Sequence, residues 1–197
     1  QGVTALTLFC LTFGTNAFYY LTIAAGMSHT VGFAFISIFV YYTIKWHEDQ
    51  RLLYVILIGL VCGYLTLVRP TNILVSIYFL FYKIKSLQDL KTKLYLFKVH
   101  FFQLMALGIA GFIVFLPQLL YWKYTTGHYV FNSYVGEHFY FNNPHIFKAL
   151  FGFRKGWLVY TPIMTLSLIG IYLLFKGLKD FYLATVLFFL FYIYVAF

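Results

Sequence analysis

Leu52-Leu-Tyr-Val-Ile-Leu-Ile-Gly-Leu-Val-Cys-Gly-Tyr-Leu-Thr-Leu-Val68 runs without a charge, Arg69-Pro70-Thr71-Asn72 interrupts it, and apolar residues resume from Ile73 to Tyr82. This stretch decides the fold. A single pass from 52 to 82 would leave Arg69 near the middle of a bilayer, at a cost of several kcal/mol. Two full passes would be only about 15 residues each, roughly 22 Å of helix, short of a hydrocarbon core of roughly 30 Å. Two short helices meeting at Arg69-Pro70, below the membrane surface and beside a water-filled cavity, satisfy both limits, because broken backbone is tolerated there. Pro70 supplies the break, since it cannot donate a backbone hydrogen bond.

The rest of the chain fits an all-α, polytopic transmembrane bundle. Apolar residues make up 62% of the 197 residues, charged residues 10%, and the mean hydropathy is +0.84. A soluble domain carries roughly a quarter charged residues, so the composition excludes a soluble enzyme, a nucleic-acid-binding domain and a disordered segment. About seven apolar segments are expected, two of them the short pair around Arg69. Residues 1–44 hold no Lys, Arg, Asp or Glu. They read as a helix to about 13, a connector at 14–28 and a helix at about 29–44, with Ser28 placed to cap it. Lys45–Arg51 reads as a charged loop. Long helices are expected at about 99–121, 157–175 and 181–197, and a polar, aromatic loop at 122–156. In the segment 83–98, Ile84, Leu87, Leu90, Leu94 and Phe97 share one helical face with five lysines around it, the pattern of a helix in the headgroup plane. Asn143-Pro144 would open a second amphipathic helix, which Gly152 ends.

The net charge of +9 arises from 14 Lys and Arg against 5 acids. The basic residues lie between apolar runs, where they orient helices and meet anionic headgroups rather than nucleic acid. The lysine-rich 83–98 segment is therefore placed in the cytoplasm with 45–51 and 176–180, which sends 14–28, 69–72 and 122–156 outward. Cys10 and Cys62 both lie in apolar stretches and suggest no disulfide framework. The final run, 181–197, stops without a flanking charge, and the first helix is apolar from its start. The chain is thus expected to be a piece of a longer protein, cut at both ends.

The outward placement gathers the unusual polar residues: His29, Arg69, Asn72, His128, Glu137, His138, His145, Arg154 and Lys155. Arg69, between two apolar runs, is suited to bidentate binding of a phosphate, or to snorkelling at the interface. Arg154 and Lys155 stand where the next helix enters the membrane and offer an anionic headgroup site or plain anchoring. Glu137 is the only acid in the outward segments and the candidate general base. With His138, His128 and His145 it also makes a candidate site for a divalent metal, although the spacing matches no strong metal motif. No phosphate-binding Walker loop, nucleophile elbow, zinc-protease motif or dinucleotide fingerprint occurs.

Six blocks, in order along the chain, resemble the multispanning GT-C glycosyltransferases, in particular bacterial protein O-mannosyltransferases and lipid A aminoarabinose transferases (glycosyltransferase family 39-like). They are Gly14-Thr15-Asn16-Ala17-Phe18-Tyr19-Tyr20, Gly26-Met27-Ser28-His29, Leu67-Val68-Arg69-Pro70-Thr71-Asn72, Pro117-Gln118-Leu119-Leu120-Tyr121-Trp122-Lys123, Asn143-Pro144-His145, and Arg154-Lys155-Gly156-Trp157-Leu158-Val159-Tyr160-Thr161-Pro162. The resemblance implies that residues 1–197 form part of one GT-C-type domain in a bacterial inner membrane. It implies transfer of a mannose-like sugar from a polyprenyl-phosphate carrier to a glycan, lipid or protein acceptor on the outer face. Arg69, Arg154 and Lys155 would hold the donor phosphate; His29, Asn72 and His138 would line the sugar or acceptor pocket. The family's catalytic carboxylate lies in an early external loop that has no counterpart here. A flippase for lipid-linked sugars, with the broken helix lining its pathway, and a non-catalytic membrane subunit are the competing expectations.

Overall fold

The computed structural model describes residues 2–24, 26–131, 145–153 and 156–196. Among them every regular element is helical and there is no strand. The elements are α1 (Gly2–Gly14), α2 (Ala17–Thr22), α3 (Ser28–Glu48), α4 (Leu52–Val68), a 3-10 helix (Pro70–Val75), α5 (Ser76–Phe81), α6 (Leu87–Val99), α7 (Phe101–Thr126), α8 (Ile146–Phe151), α9 (Trp157–Tyr160), α10 (Met164–Gly177) and α11 (Lys179–Ala196).

The bundle is organised around the parallel pair α4 and α7. A Cβ placed on Gly59 would lie 2.3 Å from the Leu107 carbonyl oxygen, and one on Gly63 would lie 2.5 Å from that of Gly111. Glycines four apart therefore let the two backbones touch, the small-residue contact by which apolar helices pair. Helix α3 packs on the other side of α4. Phe39 and Trp46 of α3, Val55, Ile58 and Leu65 of α4, and Val75 and Phe79 beyond the break form the buried core. The ring of Trp46 lies 5.0 Å from Phe79, which stacks on Phe97 of α6 at 5.7 Å.

The break at Pro70 forms as its chemistry requires. Arg69 adopts an extended backbone (φ −153°, ψ 126°), the conformation a following proline imposes. The Arg69 N–H still donates to the Leu65 carbonyl at 3.0 Å, and the Asn72 side-chain amide donates to the same oxygen at 3.2 Å. The chain then returns through the 3-10 helix and α5, which pack against α11. Two ends of the bundle result. The Arg69 end holds the start of α3 and the 3-10 helix. The lysine end holds Trp46, Tyr82, α6 and the α10–α11 turn, where the Lys83 N–H donates to the Asp180 carbonyl at 2.9 Å.

Several boundaries differ from those read in the sequence. The stretch 45–51 is not all loop, because burial of Trp46 and a Lys45–Glu48 pair at 3.2 Å carry α3 on to Glu48. The 14–28 connector contains α2. Met27, not Ser28, caps α3, and no side-chain hydrogen bond accompanies it. Helix α7 continues past Pro117 to Thr126, where Gly127 ends it in the left-handed conformation (φ 77°). Pro162 divides the expected 157–175 helix into α9 and α10, because it has no N–H to donate. Among the described residues α7 is the one helix long and apolar enough to cross a membrane; Gly2–Gly14, Leu52–Val68, Pro70–Phe81 and Met164–Gly177 are shorter apolar helices.

Helix α6 is turned from the expected orientation. Leu87 and Leu94 are 80% and 60% exposed, whereas Lys93 is 6% exposed. Lys93 stands three residues after Leu90 and four before Phe97, inside the stripe that faces the core.

Candidate functional site

At the Arg69 end three of the candidate residues come together. His29 lies in the first turn of α3, with its ring 4.4 Å from that of Tyr20 on α2. The Thr30 hydroxyl fixes this corner by donating to the Tyr20 carbonyl at 3.2 Å. Arg69, half-buried at the end of α4, is near enough for its charge to act on the His29 imidazole. Asn72, 8% exposed, presents its amide to α3, so that a Cβ on Gly32 would lie 3.9 Å from its nitrogen. Gly32 is one turn beyond His29, so the start of α3 faces the broken helix directly.

The roles of these groups differ. The Asn72 amide is committed to the Leu65 carbonyl, and so holds the shape of the break. The Arg69 guanidinium has no hydrogen-bonded or ion-pair partner among the described residues. The described ion pairs, Lys45–Glu48, Arg51–Asp49 and Lys85–Asp180, all lie in charged segments away from it. A half-buried guanidinium with open donors beside an imidazole can receive an anion.

Arg154, Lys155, Glu137 and His138 lie outside the described residues, as does Asn143-Pro144. Next to Arg154-Lys155 in the sequence, the Trp157 ring lies tilted 5.7 Å from Phe189 of α11, a helix that also packs on the 3-10 helix. His128 follows the end of α7 and His145 precedes α8; Gly152 ends α8 as expected. Among the described residues no group of three His, Cys, Asp or Glu side chains could hold a metal ion.

A second polar centre, at the lysine end, was not visible in the sequence. The Lys93 ammonium donates to the Tyr82 carbonyl at 3.0 Å and contacts His47 Nε2. His47 Nδ1 is 2.7 Å from the Thr43 carbonyl. That carbonyl can only accept, so Nδ1 carries the proton and Nε2 offers its lone pair to Lys93. Burial, and secondly Lys83, bring the Lys93 ammonium down to about 7. His47, beyond the apolar part of α3, is held at about 3 by burial and then by Lys93. Beside this pair the Trp46 indole donates to Gln103 at 2.8 Å, and Gln103 donates to the Gln50 carbonyl at 2.8 Å. Both residues of the pair lie in charged stretches that read as surface. The only sequence signal is the place of Lys93 in the apolar stripe.

Comparison with known protein families, curated proteins and solved structures found no match for the chain.

Proposed function

We propose that this chain is part of a polytopic membrane glycosyltransferase of the GT-C type, in which the Arg69 end holds the phosphate of a polyprenyl-phosphate sugar. The observation that carries this reading is the guanidinium of Arg69, unpaired among the described residues, at a helix break, beside His29 and on a frame fixed by Asn72. The apolar exterior supports residence in a membrane. On α7 alone, Phe102, Ile109, Phe112, Ile113 and Leu120 are exposed. The apolar part of α3, residues 28–44, is about 26 Å long at 1.5 Å per residue, most of the roughly 30 Å of a hydrocarbon core. We infer that α3, α4, α7, α10 and α11 cross a bacterial inner membrane, the 3-10 helix and α5 make the short return, and α6 lies at the cytosolic surface.

The chemistry follows from the charge that develops. An acceptor hydroxyl attacks the anomeric carbon, the bond from that carbon to the phosphate oxygen breaks, and the electron pair leaves with the phosphate. A guanidinium held beside that oxygen would stabilise the growing charge. Arg154 and Lys155 are proposed to share this role, with His29 and His138 beside the sugar. Glu137 is the candidate to take the acceptor's proton.

In the complete protein, Arg69→Ala is expected to lower transfer from a polyprenyl-phosphate sugar by about a hundredfold or more, with Arg69→Lys retaining part of it and both variants expressed normally. Undiminished turnover in Arg69→Ala would remove Arg69 from the mechanism. The broken helix also suits a flippase; vesicle-to-vesicle movement of the carrier without any transfer would favour that second reading.

A further inference from the structure

At the lysine end, far from Arg69, a cavity of about 640 Å³ opens between the start of α6 and the α10–α11 hairpin. Its walls are apolar: Leu87 and Leu90 on one side, Phe175 and Leu183 on the other. Lys85 and Lys179 stand on its rim and are shared with an adjoining cavity of about 490 Å³, which adds Lys176. Three ammonium groups thus stand with two carboxylates, Asp180 and Asp89, at the mouth of an apolar cleft.

The rim is fixed in place. The Lys83 N–H donates to the Asp180 carbonyl at 2.9 Å, and Lys85 pairs with the Asp180 carboxylate. The Ser86 hydroxyl and Asp89 carboxylate cap α6 reciprocally: the Asp89 N–H donates to Ser86 at 3.2 Å, and the Lys85 N–H donates to Asp89 at 3.0 Å. Lys176 and Lys179 make no ion pair among the described residues. Their stems run over Tyr172 and Phe175, with the ammonium groups 5.1 and 5.9 Å from the ring centres. Lys179 is therefore held over an aromatic wall of the cleft and Lys176 over Tyr172 beside it, neither in an ion pair with a carboxylate of the described residues.

We propose that this cleft binds an anionic glycerophospholipid from the cytosolic leaflet, its acyl chain along Leu90 and Phe175 and its phosphate between Lys176 and Lys179. Charge and shape together select this occupant. Three ammonium groups against the Asp180 and Asp89 carboxylates leave one net positive charge at the mouth, the walls are hydrocarbon, and basic pockets between membrane helices on the cytosolic side are suited to anionic headgroups. The inference rests on the membrane reading above but needs neither Arg69 nor any transfer reaction.

The test is lipid retention by the detergent-solubilised full chain, read by intact mass. Phosphatidylglycerol and phosphatidylcholine of identical acyl chains serve as probes. The site predicts that phosphatidylglycerol is retained in preference. In Lys176→Gln/Lys179→Gln, binding should fall at least about tenfold, while Lys45→Gln/Lys98→Gln, which removes the same charge elsewhere, retains it. Both lysines of the first pair are exposed, their side chains make no hydrogen bond among the described residues, and circular dichroism checks that helicity is kept. A phosphatidylglycerol with a photoreactive acyl chain, added to the unaltered protein, should cross-link at Leu87, Leu90, Phe175 or Leu183. Equal retention of the two lipids, an equal loss in the two double variants, or cross-links confined to other helices would overturn the proposal. So would tighter retention of a polyprenyl phosphate than of phosphatidylglycerol at this cleft. If the lipid binds here while Arg69→Ala leaves transfer intact, only the transferase reading fails.

Discussion

Lys93 brings an ammonium group into the packed interior, with a carbonyl and a neutral imidazole as its polar partners. Its proton is lost near pH 7 in the fold, but only near the ordinary 10.5 in the unfolded chain. Between those values the unfolded chain binds more protons, so stability should rise with pH, by at most about 1.4 kcal/mol per unit. Unfolding in detergent at pH 7, 8.5 and 10 measures the slope. Lys93→Met should flatten it and raise stability at pH 7; an unchanged slope would assign it to other groups. Arg69 was legible at this scale because a charge between two apolar runs has few structural explanations. Lys93 was not, because a lysine in a lysine-rich helix reads as solvated, and only the contacts of Tyr82 and His47 reveal which face turns inward.

Among the elements, the pair α4 and α7 depends on two glycines more than on any large side chain. Gly59→Ala forces its new methyl against the Leu107 carbonyl, whereas a Cβ at Gly108 meets nothing within 4 Å. Gly59→Ala should therefore lower stability by about 1–3 kcal/mol, and Gly108→Ala should be neutral or slightly stabilising through helix propensity. Thermal unfolding of the two variants side by side decides this; equal effects would mean that the helices separate more easily than their contact suggests. The break at Arg69-Pro70 and the short return through α5 were readable from segment length and from proline's missing donor. The reach of α3 to Glu48 was not, since burial of Trp46 outweighs the charged residues around it. Nor was the division at Pro162, because the similar Pro117 lies within a continuous α7. Proline's effect depends on whether its neighbours reclaim the freed carbonyl.

On the scale of the whole molecule, the bundle has two polar ends separated by an apolar exterior. One holds Arg69, His29 and Asn72; the other holds Lys93, His47 and the lysine-rimmed cleft. If the chain crosses the bilayer as proposed, the ends face opposite compartments. In a background with Cys10→Ser and Cys62→Ser, Met27→Cys should react with an impermeant thiol reagent added to intact cells, and Ser86→Cys only after lysis. The reverse pattern would invert the topology. The all-helical class followed from composition alone, while the meeting of His29 with Arg69 follows from the packing of α3 on the broken helix, which no local pattern encodes. The most direct test of the account is the affinity of the full chain for a short-chain polyprenyl phosphate, compared between the unaltered protein, Arg69→Lys and Arg69→Ala. Binding should weaken in that order, with the alanine variant at least about tenfold weaker as a charge-assisted contact is lost; equal affinity in all three would remove Arg69 from phosphate binding.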